Sequence, residues 1–485
     1  MTQTDATAPP GRIAESLARG KLGTPGVSFF MVAALGPLLV CAGTLPTAYA
    51  ATGLTAVPAA FALTALVLAV FTVGYLAMAR RLPNTGAFYI LITKGLGRPA
   101  GVAGALVALV GYCAMQISLY GLIGVQLAGY LGDNLPWHPH WSWWSCALAV
   151  WALVAGLGMV KVEISSRILG ALSILEIAVI ILLAVKGLTH PAGGQLHLGP
   201  LNPARITWRG LGPLSAICVL CFLGFEQAPV YAVQAKSPRI TLLRATVVCI
   251  GLGAVIYIGG ALAMGGYYGS NTVATAQAQG ASMFFAMSRG VLSGAGDTLF
   301  LTSLLAAALA YHNTLIRYAY SLGRDRVLPE ALAKVGRSGI PRTASALQSA
   351  IGLAAIGATC AFGWDPVLQL FYIASSFGGF VIMALLAVTA FAIVAFFARD
   401  PRGEHVVVRL CLPVAAALAL TGMVWACVAN FPTLLGITAS DPTVGRLFLL
   451  LGCAVVVGVG WALTLKFRRP DVYAGLAPIV TEDAR

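Results

Sequence analysis

The chain consists of long apolar runs separated by short polar gaps, and this pattern restricts the fold more than any other feature. A helix needs about 20 apolar residues to cross a bilayer. Twelve runs of roughly this length occur in the 485 residues. They lie near residues 27-50, 55-79, 100-132, 143-160, 168-188, 211-233, 243-267, 296-322, 343-362, 366-397, 405-430 and 445-467, and are called spans 1 to 12. The pattern predicts an all-α integral membrane protein with twelve transmembrane helices, surrounded by the lipid bilayer.

The composition supports this class. Hydrophobic residues make up 59% of the chain and charged residues 9%, whereas soluble proteins contain roughly 45 to 50% apolar and about 25% charged residues. Most basic residues behind the net charge of +14 lie in the short polar gaps, so they indicate cytoplasmic loops, and no nucleic-acid partner is expected. The ten cysteines are scattered through apolar segments, which is not the arrangement of a disulfide framework.

The basic residues also predict the orientation. An even number of spans puts both termini on the same side. With the N-terminus in the cytoplasm, the basic residues left outside are Lys186, Arg205, Arg209, Arg289 and Arg446. Cytoplasmic loops carry the excess of lysine and arginine, so residues 1-26 and 468-485 are predicted to be tails on the inner face of the cytoplasmic membrane. Residues 189-210 and 268-295 are predicted to be external loops.

Glycine and proline interrupt two spans. Span 1 contains Gly36-Pro37 and Gly43-Thr44-Leu45-Pro46, and span 6 contains Gly224, Glu226 and Pro229. Proline removes a helical hydrogen bond, and glycine and proline also occur in membrane helices for packing reasons alone. Broken helices at matching places in two halves indicate an inverted-repeat secondary transporter, whose substrate is bound near the membrane midplane. The halves are residues 27-188 and 211-397, with five spans each, followed by two extra helices in residues 405-467.

Four stretches carry a family resemblance. They are TLPTAYAATG at residues 44-53, RLPNTGAFY at 81-89, FLGFE at 222-226 leading to AKSPR at 235-239, and RYAYSLGRDRVLP at 317-329. In this order and spacing, over roughly residues 27 to 400, the chain resembles the amino acid-polyamine-organocation superfamily. The resemblance implies a LeuT-type 5+5 inverted repeat with discontinuous helices 1 and 6, plus two C-terminal helices.

The resemblance further implies a permease that moves amino acids by alternating access, driven by protons or by exchange. A permease for amines or polyamines is the first alternative, and an amino-acid receptor without transport is the second. The oligomeric state is left open, with a homodimer among the alternatives. Many family members hold the substrate carboxylate on a glycine-serine-glycine break in span 1. Here the matching region is Leu38 to Gly43, which makes a simple amine a stronger competitor.

Two carboxylates lie inside apolar spans, where an ionised group costs at least ~2.5 kcal/mol by insertion scales. Glu226 follows the break in span 6. It is expected to order the unwound backbone, to handle substrate or protons, or to make an incidental contact between helices. Glu176 lies in span 5, at a place where some proton-coupled family members carry a lysine. It is a proton-coupling candidate, with a packing contact to span 1 or span 8 as the alternative.

The candidate residues follow from these arguments. For substrate binding they are Leu39, Val40, Cys41, Ala42 and Gly43 of span 1, Gln116 of span 3, and Cys221, Phe222, Gly224, Phe225 and Glu226 of span 6. For proton coupling they are Glu176, Glu226 and His312, although a lone histidine in an apolar helix is more often a packed, hydrogen-bonded residue. Phe222 or Phe225 is expected to close over the substrate.

Other site types find little support. Cys218 and Cys221 have the spacing of a zinc pair, but no second pair follows and both lie within a span. The run from Trp137 to Trp141 contains two histidines but is more typical of an interfacial aromatic anchor. The sequence lacks a Walker A motif and a nucleophile-base constellation. We therefore expect no metal, no cofactor and no enzymatic activity.

Overall fold

The computed structural model describes residues 22–82, 87–135, 140–160, 162–288, 293–336, 339–401 and 403–476. Within these ranges all the regular secondary-structure elements are helices. Most of the predicted N-terminal tail, the end of the C-terminal tail, Pro83 to Gly86 of the second family motif, and Trp137 to Pro139 of the aromatic run lie outside the described residues.

The helices coincide with the predicted spans. Their bounds are Thr24–Leu35, Leu39–Thr44 and Leu45–Thr52 for span 1, Val57–Ala79, Arg98–Asn134, Trp143–Gly158 and Val162–Thr189 for spans 2 to 5, Trp208–Phe222 and Phe225–Gln234 for span 6, Pro238–Tyr268, Ser293–Arg324 and Arg342–Ala361 for spans 7 to 9, Pro366–Ile373 and Ala374–Arg399 for span 10, Val407–Cys411 and Leu412–Ala429 for span 11, and Pro442–Arg468 for span 12.

Eleven helices in the described ranges are long and apolar enough to cross a membrane. Span 4 supplies the twelfth as the 16-residue apolar helix Trp143–Gly158. The all-α membrane fold class is therefore confirmed.

Five short α-helices were not predicted. Ala87–Leu96 lies between spans 2 and 3, Thr272–Gln279 and Ser282–Ala286 lie in the segment predicted to be an external loop, Phe431–Leu435 lies between spans 11 and 12, and Pro470–Ala474 follows span 12. With at most 10 residues each, they are shorter than the window that reveals a span.

Span 1 breaks at Gly36. The first half ends at Leu35, and Gly36 adopts a left-handed conformation with φ of 57°, which favours glycine. Pro37 follows and has no amide hydrogen to donate. The chain resumes as a π-helical turn, Leu39–Thr44, that continues into Leu45–Thr52. The predicted interruption around Gly43 is thus wound into a helix, and the non-helical residue lies earlier, at Gly36, with Leu38 already in the helical conformation.

Span 6 breaks at Leu223 and Gly224. Its α-helix ends at Phe222, Leu223 is extended, and Gly224 has φ of 132° before the chain resumes as a 3₁₀ helix. A Cβ atom on Gly224 would lie 2.9 Å from the carbonyl oxygen of Met31 in span 1. The two interrupted helices therefore approach each other backbone to backbone at this glycine.

The fourth family motif forms the turn that ends span 8. The carbonyl of Leu322 accepts the amides of Val327 and Leu328 at 2.9 and 3.1 Å. Arg326 takes up the left-handed conformation of the turn, with φ of 58°. The indole of Trp461 in span 12 donates to the carbonyl of Val327 at 2.8 Å, so the turn is tied to the last span.

Candidate functional site

Glu176 connects span 5 to the break in span 1 and to span 8. Its side chain is 1% exposed. One carboxylate oxygen, Oε2, accepts the amide of Leu38 at 3.3 Å and the hydroxyl of Ser303 at 2.8 Å. The hydroxyl oxygen of Ser303 in turn accepts the amide of Leu39 at 3.1 Å. Both amides at the start of the second half of span 1 are therefore bound by side chains from other spans.

The chemistry of the break explains this arrangement. The first amides of a helix have no partner within it, and they form the positive end of the helix dipole. Because Pro37 has no amide hydrogen, Leu38 and Leu39 carry the first backbone donors after Gly36. Glu176 and Ser303 cap them as an N-cap residue would, except that these caps come from distant parts of the chain.

Glu226 holds the break in span 6 together. It is fully buried, and Oε2 accepts the amide of Gly224 at 2.8 Å. Its other oxygen accepts the hydroxyl of Tyr112 in span 3 at 2.7 Å, and its backbone carbonyl accepts the hydroxyl of Tyr75 in span 2 at 2.7 Å. The carboxylate thus satisfies a donor freed by the break, as expected for a group that orders unwound backbone.

The side chains of Leu39–Thr44 point to several neighbours. Val40, Cys41 and Ala42 are buried, and the Cys41 sulfur lies 3.2 Å from the Cβ position of Gly260 in span 7. The Cβ position of Gly43 lies 3.4 Å from the ring of Phe300 in span 8. This turn therefore packs against spans 7 and 8.

The aromatic residues of span 6 pack sideways. The Phe222 ring lies 5.4 Å from that of Tyr257 and 6.2 Å from that of Phe61, while the Phe225 ring lies 6.2 Å from that of Phe71. These neighbours belong to spans 2 and 7. In this structure both phenylalanine rings pack on aromatic residues of spans 2 and 7.

His312 lies away from the break in span 1, and Gln116 bonds within its own span. His312 is nine residues beyond Ser303 on the same helix, or roughly 14 Å along its axis. The imidazole approaches the hydroxyl of Ser345 in span 9 at 3.4 Å and packs on Gly158 of span 4. The Gln116 amide donates to Tyr120 at 3.0 Å. The structure therefore brings Glu176 and Glu226 to the breaks, but not His312.

Arg317 forms a second polar centre, whose partners were not predicted from the sequence. The side chain is 8% exposed, and its Nε donates to Gln234 at the end of span 6 at 2.9 Å. Its Nη1 donates to the carbonyl of Asn313 at 2.6 Å and to its side chain at 3.1 Å. Spans 1, 6 and 8 are thereby joined, because the guanidinium also faces the rings of Phe30 and Tyr231 at 5.4 and 4.9 Å.

Tyr75 and Tyr112 were also missed by the sequence argument. A tyrosine inside an apolar helix is the available signal, because its hydroxyl needs a partner when buried.

In the described residues no carboxylate pairs with Arg317, and its partners are amides, a carbonyl and two rings.

Comparison with known proteins gives a consistent result. The sequence pattern of the family described as amino acid permease matches residues 22–459. The chain is 25% identical over 305 residues to the branched-chain amino acid permease BcaP of Lactococcus lactis subsp. cremoris, covering 58% of this chain and 63% of that protein. The aligned chain thus spans just under two thirds of BcaP. It is also 25% identical over 409 residues to the low-affinity putrescine importer PlaP of Escherichia coli K12, covering 81% and 83% of the two chains.

Proposed function

The chain belongs to the amino acid permease family, and on this premise we propose that it is a secondary active transporter that moves amino acids or amines across the cytoplasmic membrane by alternating access. The family consists of permeases and not of enzymes. The observation that carries the proposal is the pair of interrupted spans, with Glu176 at one break and Glu226 at the other. Interrupted helices near the membrane midplane are the usual substrate and ion sites of such transporters.

The proposed substrate region lies between the two breaks. It includes the turn from Leu39 to Gly43 and the segment from Cys221 to Glu226, with Gln116 on the neighbouring span 3. Gly224 supports this placement, because the backbones of spans 1 and 6 meet at it. Since Phe222 and Phe225 pack on spans 2 and 7, closure over the substrate would require either ring to turn away from those contacts.

Proton coupling is assigned to Glu176. A carboxylate within a membrane span is the usual carrier in proton relays. Glu176 contacts the break in span 1 and Ser303 of span 8, so a change in its charge would act directly on two helices that line the proposed pathway. Exchange without protons is the competing mode, and in that case Glu176 only fixes the packing of these helices.

Alternating access requires one side of the site to be closed. With both termini in the cytoplasm, the cytoplasmic side is the one at which Arg317 joins spans 1, 6 and 8. The contacts of Arg317 support a conformation in which the cytoplasmic route is shut. Opening to the cytoplasm would then separate the first half of span 1 from this guanidinium.

The decisive experiment is uptake into proteoliposomes that contain the purified chain. Labelled amino acids and amines are presented with and without an inward proton gradient, and liposomes without protein give the background. Saturable uptake above that background supports transport, and its increase with the gradient supports proton coupling. Ligand binding without uptake would support a receptor instead, and uptake that does not respond to any proton gradient would support exchange.

A further inference from the structure

The break in span 1 offers no free backbone donor to a substrate. A carboxylate is held by amide or hydroxyl donors. The Leu38 amide is bound by Glu176 and the Leu39 amide by Ser303. The next amide, that of Val40, donates to the carbonyl of Gly36 at 2.9 Å. The positive end of this half-helix is thus occupied by protein groups, and one of them is an acid.

Four hydroxyl groups around the breaks already donate to protein acceptors. Tyr257 donates to the carbonyl of Leu35 at 3.1 Å, where the first half of span 1 ends. Tyr112 and Tyr75 donate to Glu226, and Ser303 donates to Glu176. A substrate carboxylate could use one of these four donors only by displacing its present acceptor, and a buried group that loses its partner costs free energy.

The ionisable side chains at the two breaks are both acidic. Glu176 and Glu226 are the buried acidic residues of the described chain, and Arg317 is its one buried lysine or arginine. Its guanidinium donates to Asn313, ten residues beyond Ser303 on span 8, or roughly 15 Å along the helix. At that distance it is not a direct counter-ion for a carboxylate at the break in span 1.

The ends of the half-helices add to this potential. The first half of span 1 ends at Leu35 and the α-helix of span 6 ends at Phe222. The carbonyl end of a helix carries a partial negative charge and stabilises cations. Two such ends and two carboxylates therefore lie at the breaks, while Glu176, Ser303 and Glu226 bind the first amides at the positive ends of the half-helices that follow.

We infer that this site selects a protonated amine and discriminates against a free carboxylate, so that the substrates are primary alkylamines or diamines and not the corresponding α-amino acids. The inference rests on the proposed transport function and narrows its substrate class. Specificity is determined by Glu176 and Ser303, because they occupy the donors that a carboxylate would use. A decarboxylated amino acid keeps the amine and the side chain, and lacks the group that the site repels.

Matched pairs of compounds test the inference. Leucine is compared with isopentylamine, ornithine with putrescine, and lysine with cadaverine, each as a competitor of labelled amine uptake in proteoliposomes. We expect each amine to reach half-inhibition at a concentration at least about tenfold lower than its amino acid, which corresponds to about 1.4 kcal/mol. Equal or stronger inhibition by the amino acids would overturn the inference.

Binding distinguishes a failure of the inference from a failure of the proposed function. The same pairs are added to the detergent-purified protein, and the shift in unfolding temperature is measured. If no compound is transported but the amines alone stabilise the protein, transport is wrong and the selectivity stands. If the amino acids stabilise it as well as the amines do, the selectivity is wrong whether or not transport occurs.

A variant tests the residues. Ser303→Ala releases the Leu39 amide as a donor, and Ser303→Thr keeps the hydroxyl as the matched control. We expect the preference for amine over amino acid to fall several-fold in Ser303→Ala and to be retained in Ser303→Thr. An unchanged preference in a folded, monodisperse Ser303→Ala protein would show that the capped amides do not set the specificity.

Discussion

The carboxylate of Glu226 accepts the amide of Gly224, two residues before it, at 2.8 Å and so links the first turn of the 3₁₀ helix to the break that precedes it. The other carboxylate oxygen accepts the hydroxyl of Tyr112 at 2.7 Å. Each carboxylate oxygen therefore accepts one donor, the first from span 6 and the second from span 3. A neutral amide in the same place has only one oxygen to offer.

Glu226→Gln is therefore expected to impair the protein although size is retained. The amide nitrogen must face either the Gly224 amide or the Tyr112 hydroxyl, and an unpaired buried donor costs about 1 to 3 kcal/mol. We expect a lower unfolding temperature and reduced uptake. The double variant with Tyr112→Phe removes one of the two competing donors. Its loss of unfolding free energy should therefore be smaller than the sum of the losses in the two single variants. Full additivity would contradict the shared hydrogen-bond network.

Gly224→Ala tests the contact between spans 1 and 6. The new Cβ would lie 2.9 Å from the Met31 carbonyl oxygen, and the residue would have to keep φ of 132°. Such strain costs of order 1 to 3 kcal/mol, so we expect loss of uptake and of thermal stability. Gly251→Ala is the matched control, because its Cβ has no neighbour within 4 Å. Wild-type uptake by Gly224→Ala would show that the approach of the two backbones is not required.

The sequence predicted the helices well because hydrophobicity over about 20 residues is a strong local signal. The break in span 6 was also predicted, since Gly224 lies two residues before an acidic residue, Glu226, within an apolar run. The position of the break in span 1 was not, because Gly36-Pro37 and Gly43 both interrupt the pattern, and only the first interrupts the helix.

The partners of the acids could not be predicted. The Leu38 amide and Glu176 are 138 positions apart, and Tyr112 and Glu226 are 114 apart. No local pattern specifies such pairs. Likewise, Arg317 was visible only as a polar group in span 8, whereas its position between Phe30 and Tyr231 depends on how three spans pack.

Glu176→Gln tests proton coupling. The substitution keeps an oxygen that can accept the Leu38 amide and the Ser303 hydroxyl, but it cannot take up a proton. We expect uptake to lose its dependence on the proton gradient, while amine exchange and the thermal shift on ligand addition are preserved. Both transport modes are measured on the same preparation. A variant with the parent's response to the gradient would assign Glu176 to packing alone.

Reporter fusions test the predicted orientation. Fusions after Arg81, Lys236 and Arg399 should report the cytoplasm, and fusions within residues 189-210 and 268-295 should report the exterior. The expectation depends on the excess of lysine and arginine in the predicted cytoplasmic gaps. A cytoplasmic signal from either long segment would reverse the orientation and place Arg317 on the outer side of the site.

Arg317→Lys tests whether the guanidinium keeps one side of the pathway shut. A lysine ammonium is a point charge and cannot contact Gln234 and Asn313 in the fixed geometry of the guanidinium while facing two rings. Each cation–π contact that weakens is worth about 0.5 to 2 kcal/mol. We expect the first half of span 1, Thr24–Leu35, to become less firmly held, because Phe30 is its contact with Arg317.

Hydrogen–deuterium exchange measures this directly. Deuterium uptake in Thr24–Leu35 should rise in Arg317→Lys and remain at the parent level in Arg209→Lys, a control at an exposed position. Amine uptake should slow if the closed conformation is needed in the transport cycle. The measurement is repeated with amine added. If Arg317 stabilises the closed conformation, bound amine should restore part of the protection of Thr24–Leu35 in the variant. Equal exchange in parent and variant would show that packing alone holds span 1 in place.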